Sequence, residues 1–190
     1  MNMTISEAQK LLDTYVTGST LRRHCLTVSA VMGYWAEQEG EDSEFWQVTG
    51  LLHDLDFEKY PEQHCVKVKE ILETERATFP AISDELIHAI QSHGWKLCCD
   101  VEPVTRMEKV LYTIDELTGL IFACAMARPS KSVMDMELKS VTKKFKTPAF
   151  AAGCNRDVIK EGAHMLGMEL NDVILRCLEG MRARHEELGV

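Results

Sequence analysis

The amino-acid sequence predicts an all-α protein. Apolar side chains recur at three- and four-residue spacing from end to end, and no sustained alternation of apolar and polar residues marks a strand. Only 5 prolines and 11 glycines occur in 190 residues, so long stretches are free of helix breakers. With 45% hydrophobic and 27% charged residues, the composition is that of a globular protein. We therefore expect one domain over residues 1–190, with a core at about 20–125 and a C-terminal helical subregion at about 130–190.

The first three helices are predicted from capping residues and glycine stops. Thr4 and Glu7 form a capping-box pattern, so the first helix begins near Thr4 and ends at Gly18. The second helix runs from about residue 20 to Gly40, a glycine stop. The third helix covers about residues 43–54.

The remaining helices are separated by prolines and polar residues. After a proline-containing loop, the fourth helix ends near Arg76, and Ser83 is the candidate N-cap of a helix that reaches Gly94. Pro103 opens the longest apolar-periodic stretch, which continues to Ala127. The last helices are expected at about 133–145, 155–166 and 171–188.

Charge and hydropathy disfavour two classes of partner. The chain has 30 acidic and 21 basic residues, a net charge of −9 and a pI of about 5.3, which disfavours general nucleic-acid binding and polybasic membrane binding. The apolar stretches are shorter than the roughly 20 residues that a membrane helix requires. The N-terminal segment MNMTISEAQK lacks the pattern of a secretory signal. We therefore expect a cytoplasmic protein.

The cysteines do not predict a disulfide framework. Their number, 7, is odd, and they show neither a CxxC pair nor a regular spacing. Free cysteine usually behaves as a small buried hydrophobe, so we expect reduced thiols in or near the core. The residues concerned are Cys25, Cys65, Cys98, Cys99, Cys124, Cys154 and Cys177.

Several histidines fall on apolar helix faces. His24 shares a face with Val28 and Trp35. His64 leads a second apolar stripe, and His93 ends a third. One inward imidazole is most simply a core residue that hydrogen-bonds to the backbone. Three such residues in one short chain favour a common binding role instead.

Asp115 strengthens this interpretation, because it shares a face with Leu111 and Phe122 on the most apolar helix. A buried carboxylate costs several kcal/mol unless it is paired or bound to a cation. His53 and Asp54 end the third helix, and neighbouring helical side chains point about 100° apart, so both reach one ion only beside the helix end. Imidazoles and carboxylates in this number are ligands of borderline divalent metals. The alternative is that these groups only hydrogen-bond to each other.

The order of these residues resembles that of a known family. A histidine in LRRHCLTV, a His-Asp pair in GLLHDLDFEKYP and an aspartate in VLYTIDELTGLI are similar to the motifs of the HD superfamily of metal-dependent phosphohydrolases. The likeness covers about residues 20–125 and implies an HD-domain helical bundle. It also implies a first metal ion bound by His24, His53, Asp54 and Asp115.

Two further histidines match branches of that superfamily that hold a second metal or make an extra phosphate contact. These are His64, in PEQHCVKVKEIL, and His93, in AIQSHGW. The implied cofactor is a divalent ion, one of Fe, Mn, Ni, Co or Mg, with one ion expected and a second where both histidines complete a site.

The segment spacing looks like the branch that includes bacterial HD-type dinucleoside-tetraphosphate hydrolases. The HD pair is followed by LD where the HDIG signature has IG, and no GYP motif follows. A cyclic-di-GMP phosphodiesterase is therefore not supported.

The bound ion would supply the phosphohydrolase chemistry. It lowers the pKa of a bound water and polarises a phosphoryl oxygen, so that hydroxide attacks phosphorus in line. Asp54 is expected to combine ligand and proton-acceptor roles, and Asp56 or Glu58 is either a proton donor to the leaving group or an exposed loop acid. Arg23, beside His24, and Lys59, five residues after Asp54 on the same loop, are the candidate phosphate partners. Asp54 and Lys59 are the candidate catalytic residues.

Residues 128–146 are locally basic in an acidic chain. A charge run of this kind is either a solvated helix face or an electrostatic lip that draws a polyanionic substrate to a cleft. In the second case, Arg128 and Lys131 are expected to contact the substrate, because they lie nearest the helix that carries Asp115.

The leading functional hypothesis is a metal-dependent phosphohydrolase acting on a phosphorylated small molecule, a nucleotide or a dinucleoside polyphosphate. One alternative is a catalytically weak metal-containing sensor of a phosphorylated ligand, which signals through the C-terminal helices. Another is a di-iron oxygenase of the HD fold, which His64 and His93 favour. A homo-oligomer is compatible with each, since the C-terminal helices could cap the core or pair with another subunit.

Overall fold

A computed structural model describes residues 2–190, and these residues form ten α-helices and no strand. The predicted all-α fold class is confirmed. None of the helices in this part of the chain is both long enough and apolar enough to cross a membrane. A 3₁₀ turn at Pro61–Gln63 precedes the fourth helix. The helices are α1 (Ile5–Tyr15), α2 (Ser19–Glu39), α3 (Ser43–Leu52), α4 (Lys67–Glu75), α5 (Asp84–Ser92), α6 (Arg106–Met126), α7 (Leu138–Phe145), α8 (Arg156–Leu166), α9 (Leu170–Ala183) and α10 (His185–Leu188).

The predicted helix caps are present. Thr4 forms a capping box at the start of α1, and the Ser83 hydroxyl accepts a backbone N–H at the start of α5. Gly40 ends α2 in the left-handed region, at φ 73°. The longest apolar stretch begins later than Pro103 predicts, because Thr105 forms a second capping box and starts α6 at the next residue.

Helices α2 and α6, of 21 residues each, form the centre of the core. Trp35 of α2 is fully buried, and Tyr112 of α6 is nearly so. Helix α3 packs closely on α2, since a Cβ at Gly50 would lie 3.0 Å from the backbone of Ser29. This close approach holds the C-terminal end of α3 beside the middle of α2.

The half-buried carboxylate of Glu39 ties the C-terminal helices to this core. It accepts hydrogen bonds from Arg106 of α6 at 2.9 and 2.8 Å and from Arg176 of α9 at 2.8 Å. It also accepts the indole N–H of Trp35 at 2.9 Å. The Arg106 hydrogen bond is the main cause of the lowered pKa of Glu39.

Two C-terminal predictions were wrong in detail. The helix expected from about residue 133 begins only at Leu138, because Arg128 donates to the Asp135 carboxylate at 3.1 and 3.0 Å and holds the preceding residues as a loop. Arg182 of α9 donates to the carbonyl oxygen of Val133 at 3.2 Å and steadies the same loop. The last predicted helix is divided into α9 and α10 at Arg184, whose φ and ψ are −124° and 21°.

All seven cysteines are free, as expected, but their burial varies. Four are buried, and Cys99 and Cys154 are partly buried. Cys98 is exposed, which the sequence pattern does not predict.

The contact between α6 and α8 gives a test of the packing. A Cβ at Gly162 would lie 2.0 Å from Oγ1 of Thr113, a buried side chain whose hydroxyl donates to the Lys109 carbonyl at 2.6 Å. We expect Gly162→Ala to lower the free energy of unfolding by about 1–3 kcal/mol in urea, although alanine is intrinsically the better helix former by about 1 kcal/mol.

Gly153→Ala is the matched control, because no heavy atom lies within 4 Å of a Cβ at that position. Its effect should stay within about 0.5 kcal/mol. A Gly162→Ala protein more stable than the wild type would contradict the close α6–α8 packing.

Candidate metal centre

Six side chains from five segments converge beside the C-terminal end of α3. Three of the segments are helix ends: α3 ends immediately before His53 and Asp54, α5 immediately before His93, and the 3₁₀ turn immediately before His64. The other two are the second turn of α2 and the middle of α6, whose apolar stripes turn His24 and Asp115 inward. The structure therefore brings together all six residues predicted as metal ligands.

The first half of the cluster is formed by His24, His53 and Asp115. The Nε2 atoms of His24 and His53 lie 3.1 Å apart. Oδ1 of Asp115 lies 2.9 Å from Nε2 of His24 and 3.3 Å from Nε2 of His53. One oxygen of Asp54, Oδ2, completes this half at 3.3 Å from His53 and 3.5 Å from His24.

The second half is formed by His64 and His93. Their Nε2 atoms are 3.1 Å apart. The other oxygen of Asp54, Oδ1, lies 3.4 Å from Nε2 of His64 and 3.6 Å from Nε2 of His93. The buried carboxylate of Asp54 therefore faces both halves, with one oxygen toward each.

These separations fit metal coordination. Ligand atoms bound at 2.0–2.2 Å with angles between octahedral and tetrahedral values lie about 2.8–3.6 Å apart. His24, His53 and Asp115 offer ligand atoms that all lie within 4.8 Å of one another, and so do His53, Asp54 and His93. Within residues 2–190, neither Asp54 nor Asp115 forms an ion pair with lysine or arginine. Their negative charge is therefore balanced by histidine or by a bound cation.

The hydrogen bonds behind the imidazoles orient their lone pairs. Nδ1–H of His53 donates to the Gly50 carbonyl oxygen at 2.7 Å, and Nδ1–H of His93 donates to the Ile90 carbonyl oxygen. Nδ1–H of His64 donates to Asp56 at 2.7 Å. These partners assign the proton to Nδ1 in each ring and leave Nε2 facing the cluster. At His64 and His93, two lone pairs then meet at 3.1 Å, which only a shared proton or a metal ion satisfies.

Asp56 supports His64 and does not reach the cleft. The side chain is fully buried, and its second oxygen accepts the backbone N–H of Val68 at 2.7 Å. Glu58, the other acid considered as a proton donor, accepts the backbone N–H groups of Thr17 and Gly18 at 3.0 and 2.8 Å. Both acids are therefore engaged in positioning local backbone, and the structure does not support either as the proton donor.

The charges of the metal-free cluster are strongly interdependent. Burial by itself would lower the pKa of His53, but the carboxylates of Asp54 and Asp115 outweigh it and hold that pKa well above its usual value. Burial by itself would raise the pKa of both carboxyls, but the neighbouring His53 reverses this and lowers both. Without a metal, the site thus keeps its carboxylates ionised and a proton on His53.

A cleft opens onto the cluster from two sides. A cavity of about 460 Å³ is lined by apolar and hydroxyl side chains together with Arg23, His24 and Asp54. A second cavity of about 340 Å³ is lined by His64, His93, His24 and Asp54. His24 and Asp54 line both cavities, so each cavity borders the cluster, and the two together are called the cleft.

Arg23 is the predicted phosphate partner that the structure places in this cleft. Its guanidinium carbon lies 4.6 Å from the centre of the Phe122 ring. Among residues 2–190, no carboxylate forms an ion pair with Arg23.

The structure does not bring the other three predicted substrate residues to the cluster. The Lys59 ammonium donates to the Thr14 carbonyl oxygen at 3.1 Å and lies 4.7 Å from the centre of the Tyr15 ring, so Lys59 does not line the cleft. Arg128 is paired with Asp135, and exposed Lys131 lies in the same loop. Neither lines the cleft.

Glu116 is a cleft residue that sequence reasoning missed. It lines the second cavity, and its carboxylate accepts the backbone N–H of Asn155 at 2.9 Å. Burial, followed by the neighbouring charge of Asp115, raises the pKa of Glu116. The sequence signal was its position next to Asp115, because consecutive helical residues point about 100° apart and both can border one cleft.

Comparison with protein families gives one match. A family model with the description "HD domain" matches residues 21–119 of this chain. All six clustered residues, from His24 to Asp115, lie within that span. No curated protein and no solved structure gives a significant match.

The two-sided role of Asp54 predicts how substitutions change metal content. We expect up to two divalent ions per chain in protein purified without chelator, and one ion in His64→Ala, which leaves the first half intact. Asp54→Ala should lower the affinity of both halves, by about 10-fold or more at each. Elemental analysis after gel filtration measures the number of metal ions per chain. His164→Ala, at an exposed position outside the cluster, is the control. Loss of only one ion in Asp54→Ala would contradict the bridging geometry.

Stability should depend on pH in opposite ways with and without metal. The raised pKa of His53 stabilises the metal-free fold below about pH 6.5, and this contribution is lost as pH rises through the folded-state pKa. The lowered pKa values of Asp54 and Asp115 contribute above about pH 4 and are lost at more acidic pH.

We therefore expect chelator-treated protein to lose about 1 kcal/mol or more of unfolding free energy between pH 6.5 and 9 in urea titrations. Metal binding requires neutral imidazoles, so stabilisation by excess metal should increase over the same range. His53→Gln should reduce the alkaline loss and leave the smaller part that comes from His93, whose pKa is also raised, whereas His164→Gln should keep the whole loss. An alkaline loss of unchanged size in His53→Gln would show that another group is responsible.

Proposed function

The chain belongs to the HD-domain family, and on that premise we propose that it is a metal-dependent phosphohydrolase acting on a phosphorylated small molecule. The observation that carries the proposal is the position of Asp54, whose two oxygens face two pairs of imidazoles at 3.3–3.6 Å. Asp115 adds a second carboxylate to the first half. This is a ligand set for divalent ions beside an open cleft.

Divalent ions held by these six residues would lower the pKa of a bound water and withdraw charge from a phosphoryl oxygen. The chain contributes fixed ligand geometry, because His53, His64 and His93 are each held from behind by an Nδ1–H hydrogen bond. Burial of His53 and His93 excludes bulk water from one side of the centre, so any substrate must approach through the cleft.

Arg23 is the residue that we propose to bind the substrate phosphate. It lies one residue before His24 and lines the cavity that also contains Asp54. Its guanidinium lies over the Phe122 ring, and no carboxylate within residues 2–190 forms an ion pair with it, so its N–H donors are left for a phosphate oxygen. Phosphate would then lie between Arg23 and the metal centre.

The cavity also suggests the uncharged part of the substrate. Leu21, Phe57 and Phe122 line it, and its 460 Å³ is within the range of small-molecule sites. We therefore propose a nucleotide whose base contacts these side chains. A dinucleoside polyphosphate has less support, because Lys59 and Arg128 are engaged elsewhere and Arg23 is left to meet several phosphate groups.

One observation favours a second candidate, a di-iron oxygenase of the same fold. His64 and His93 give the second half as many imidazoles as the first, which suits iron as well as Mn, Co or Ni. Elemental analysis and a visible absorption spectrum of protein as purified distinguish the two. Two irons per chain together with substrate-dependent oxygen uptake and no phosphate release would favour the oxygenase.

A phosphate-release screen tests the phosphohydrolase proposal. Metal-loaded protein is assayed with nucleoside mono- and diphosphates, a dinucleoside tetraphosphate and an aryl phosphate. We expect release from at least one nucleotide, and a kcat/KM about 10- to 100-fold lower in Arg23→Met, because a charge-assisted hydrogen bond is worth about 1.5–3 kcal/mol.

Lys59→Met is the matched control, since it removes an equal charge outside the cleft, where the Lys59 ammonium contacts Thr14 and Tyr15. Its kcat/KM should stay within about twofold of the wild type. Equal losses in the two variants would contradict the role of Arg23. Tight nucleotide binding without turnover in fully metal-loaded protein would instead indicate a sensor.

A further inference from the structure

Three cysteine side chains gather behind the second half of the metal centre. Cys65 directly follows His64, and Cys98 and Cys99 lie in the turn after α5. That turn curls around the Gly94 carbonyl oxygen, which accepts the backbone N–H groups of Cys98 and Cys99 at 2.9 and 3.2 Å. The Gln91 side chain donates to the Cys65 carbonyl oxygen at 2.9 Å and joins the two segments.

Two of the sulfurs share one small space. A Cβ at Gly94 would lie 2.4 Å from Sγ of Cys65 and 2.4 Å from Sγ of Cys98, so the sulfurs are separated by no more than twice that distance. Any larger residue at this position would push them apart. Cys65 itself has a φ of 64°, a region that residues other than glycine rarely adopt. The backbone thus holds Cys65 in an unusual conformation that turns its sulfur toward Gly94.

Cys99 is the third thiol of this group and also lies within hydrogen-bond reach of Cys65 and Cys98. Its thiol donates to the Gln91 carbonyl oxygen at 3.1 Å, whereas the thiol of Cys98 makes only a long contact of 3.7 Å to the Gly94 carbonyl oxygen. Cys98 is exposed and Cys65 is buried. One thiol of the close pair is therefore accessible to a small oxidant, and the other is protected behind it.

Cys65 does not have the position of a metal ligand, although its sulfur lies within 4.8 Å of ligand nitrogens of His64 and His93. The sulfur is 3.6 Å from Nε2 and 4.0 Å from Nδ1 of His93. Because these distances are nearly equal, the sulfur lies beside the ring and not along the Nε2 lone pair that faces the cluster. Its chemistry is therefore available for another role.

We propose that Cys65 and Cys98 are a redox pair that hydrogen peroxide converts to a disulfide. The Cys98 sulfur attacks one peroxide oxygen, the O–O bond breaks, and a sulfenic acid and one water form. The Cys65 sulfur then attacks the sulfenic sulfur and displaces its hydroxyl group. The hydroxyl group takes up the proton of the Cys65 thiol and leaves as a second water. Two thiols and one peroxide thus give one disulfide and two waters. The bond links the segments that carry His64 and His93.

The test is a disulfide map of the full-length, metal-loaded protein after hydrogen peroxide treatment and alkylation of the remaining thiols. Mass spectrometry of unreduced peptides should show Cys65 linked to Cys98, and dithiothreitol should reverse the link. Diamide, which oxidises thiols without peroxide chemistry at a metal, should give the same pair. The readout does not depend on phosphohydrolase activity, so it holds or fails independently of the proposed function.

Cys98→Ser and Cys65→Ser should each lose the linked peptide, and Cys99→Ser is the matched control that should keep it. Cys98→Ser changes an exposed side chain, and circular dichroism verifies its fold. Over-oxidation of Cys98 to sulfinic acid while Cys65 stays a thiol would overturn the proposal. A disulfide between Cys98 and Cys99 would overturn it as well. So would loss of the Cys65–Cys98 link in Cys99→Ser.

Discussion

The buried carboxylate of Asp54 is the constraint on which the rest of the site depends. Its two oxygens face two different pairs of imidazoles, so it fixes both halves of the cluster relative to each other. An uncompensated buried charge would be costly, and within residues 2–190 no lysine or arginine forms an ion pair with it. The fold therefore has to bring histidines from α2, α5 and the segment before α4 to the end of α3. The close approach of Gly50 to Ser29 is part of the packing that makes this possible.

The same kind of hydrogen bond, from Nδ1 to a carbonyl oxygen at a helix end, holds two of these histidines. The last turn of a helix leaves carbonyl oxygens without intrahelical partners. At the end of α3, Nδ1–H of His53 donates to the Gly50 carbonyl oxygen three residues back, and at the end of α5, His93 does the same to Ile90. Each imidazole satisfies a helix terminus with one nitrogen and faces the cluster with the other. Helix ends, and not only helix faces, therefore build this centre.

This geometry explains which features could be read from the sequence. Helical phase was enough to turn His24 and Asp115 inward, and capping residues located the starts of α1 and α5. Phase fails outside helices, which is why the sequence allows Asp56 to be an exposed loop acid although the structure buries it behind His64. Lys59 lies in the same loop as the His-Asp pair, but its direction is set by contacts with Thr14 and Tyr15, which are distant in sequence. The thiol pair depends on a turn around Gly94 that spacing alone does not reveal.

Charge then decides when the cleft can attract a phosphate. The chain has a net charge of −9, and Arg23 is the cationic side chain that lines the larger cavity. Without metal, the ionised carboxylates of Asp54 and Asp115 offset Arg23 and the proton held on His53, so the local field offers little attraction to an anion. Two divalent cations would exceed the charge of these carboxylates and make the same place positive. Because the pull on phosphate then originates at the metal centre, a compact phosphate close to Asp54 is favoured over an extended polyanion that must lie along an acidic surface.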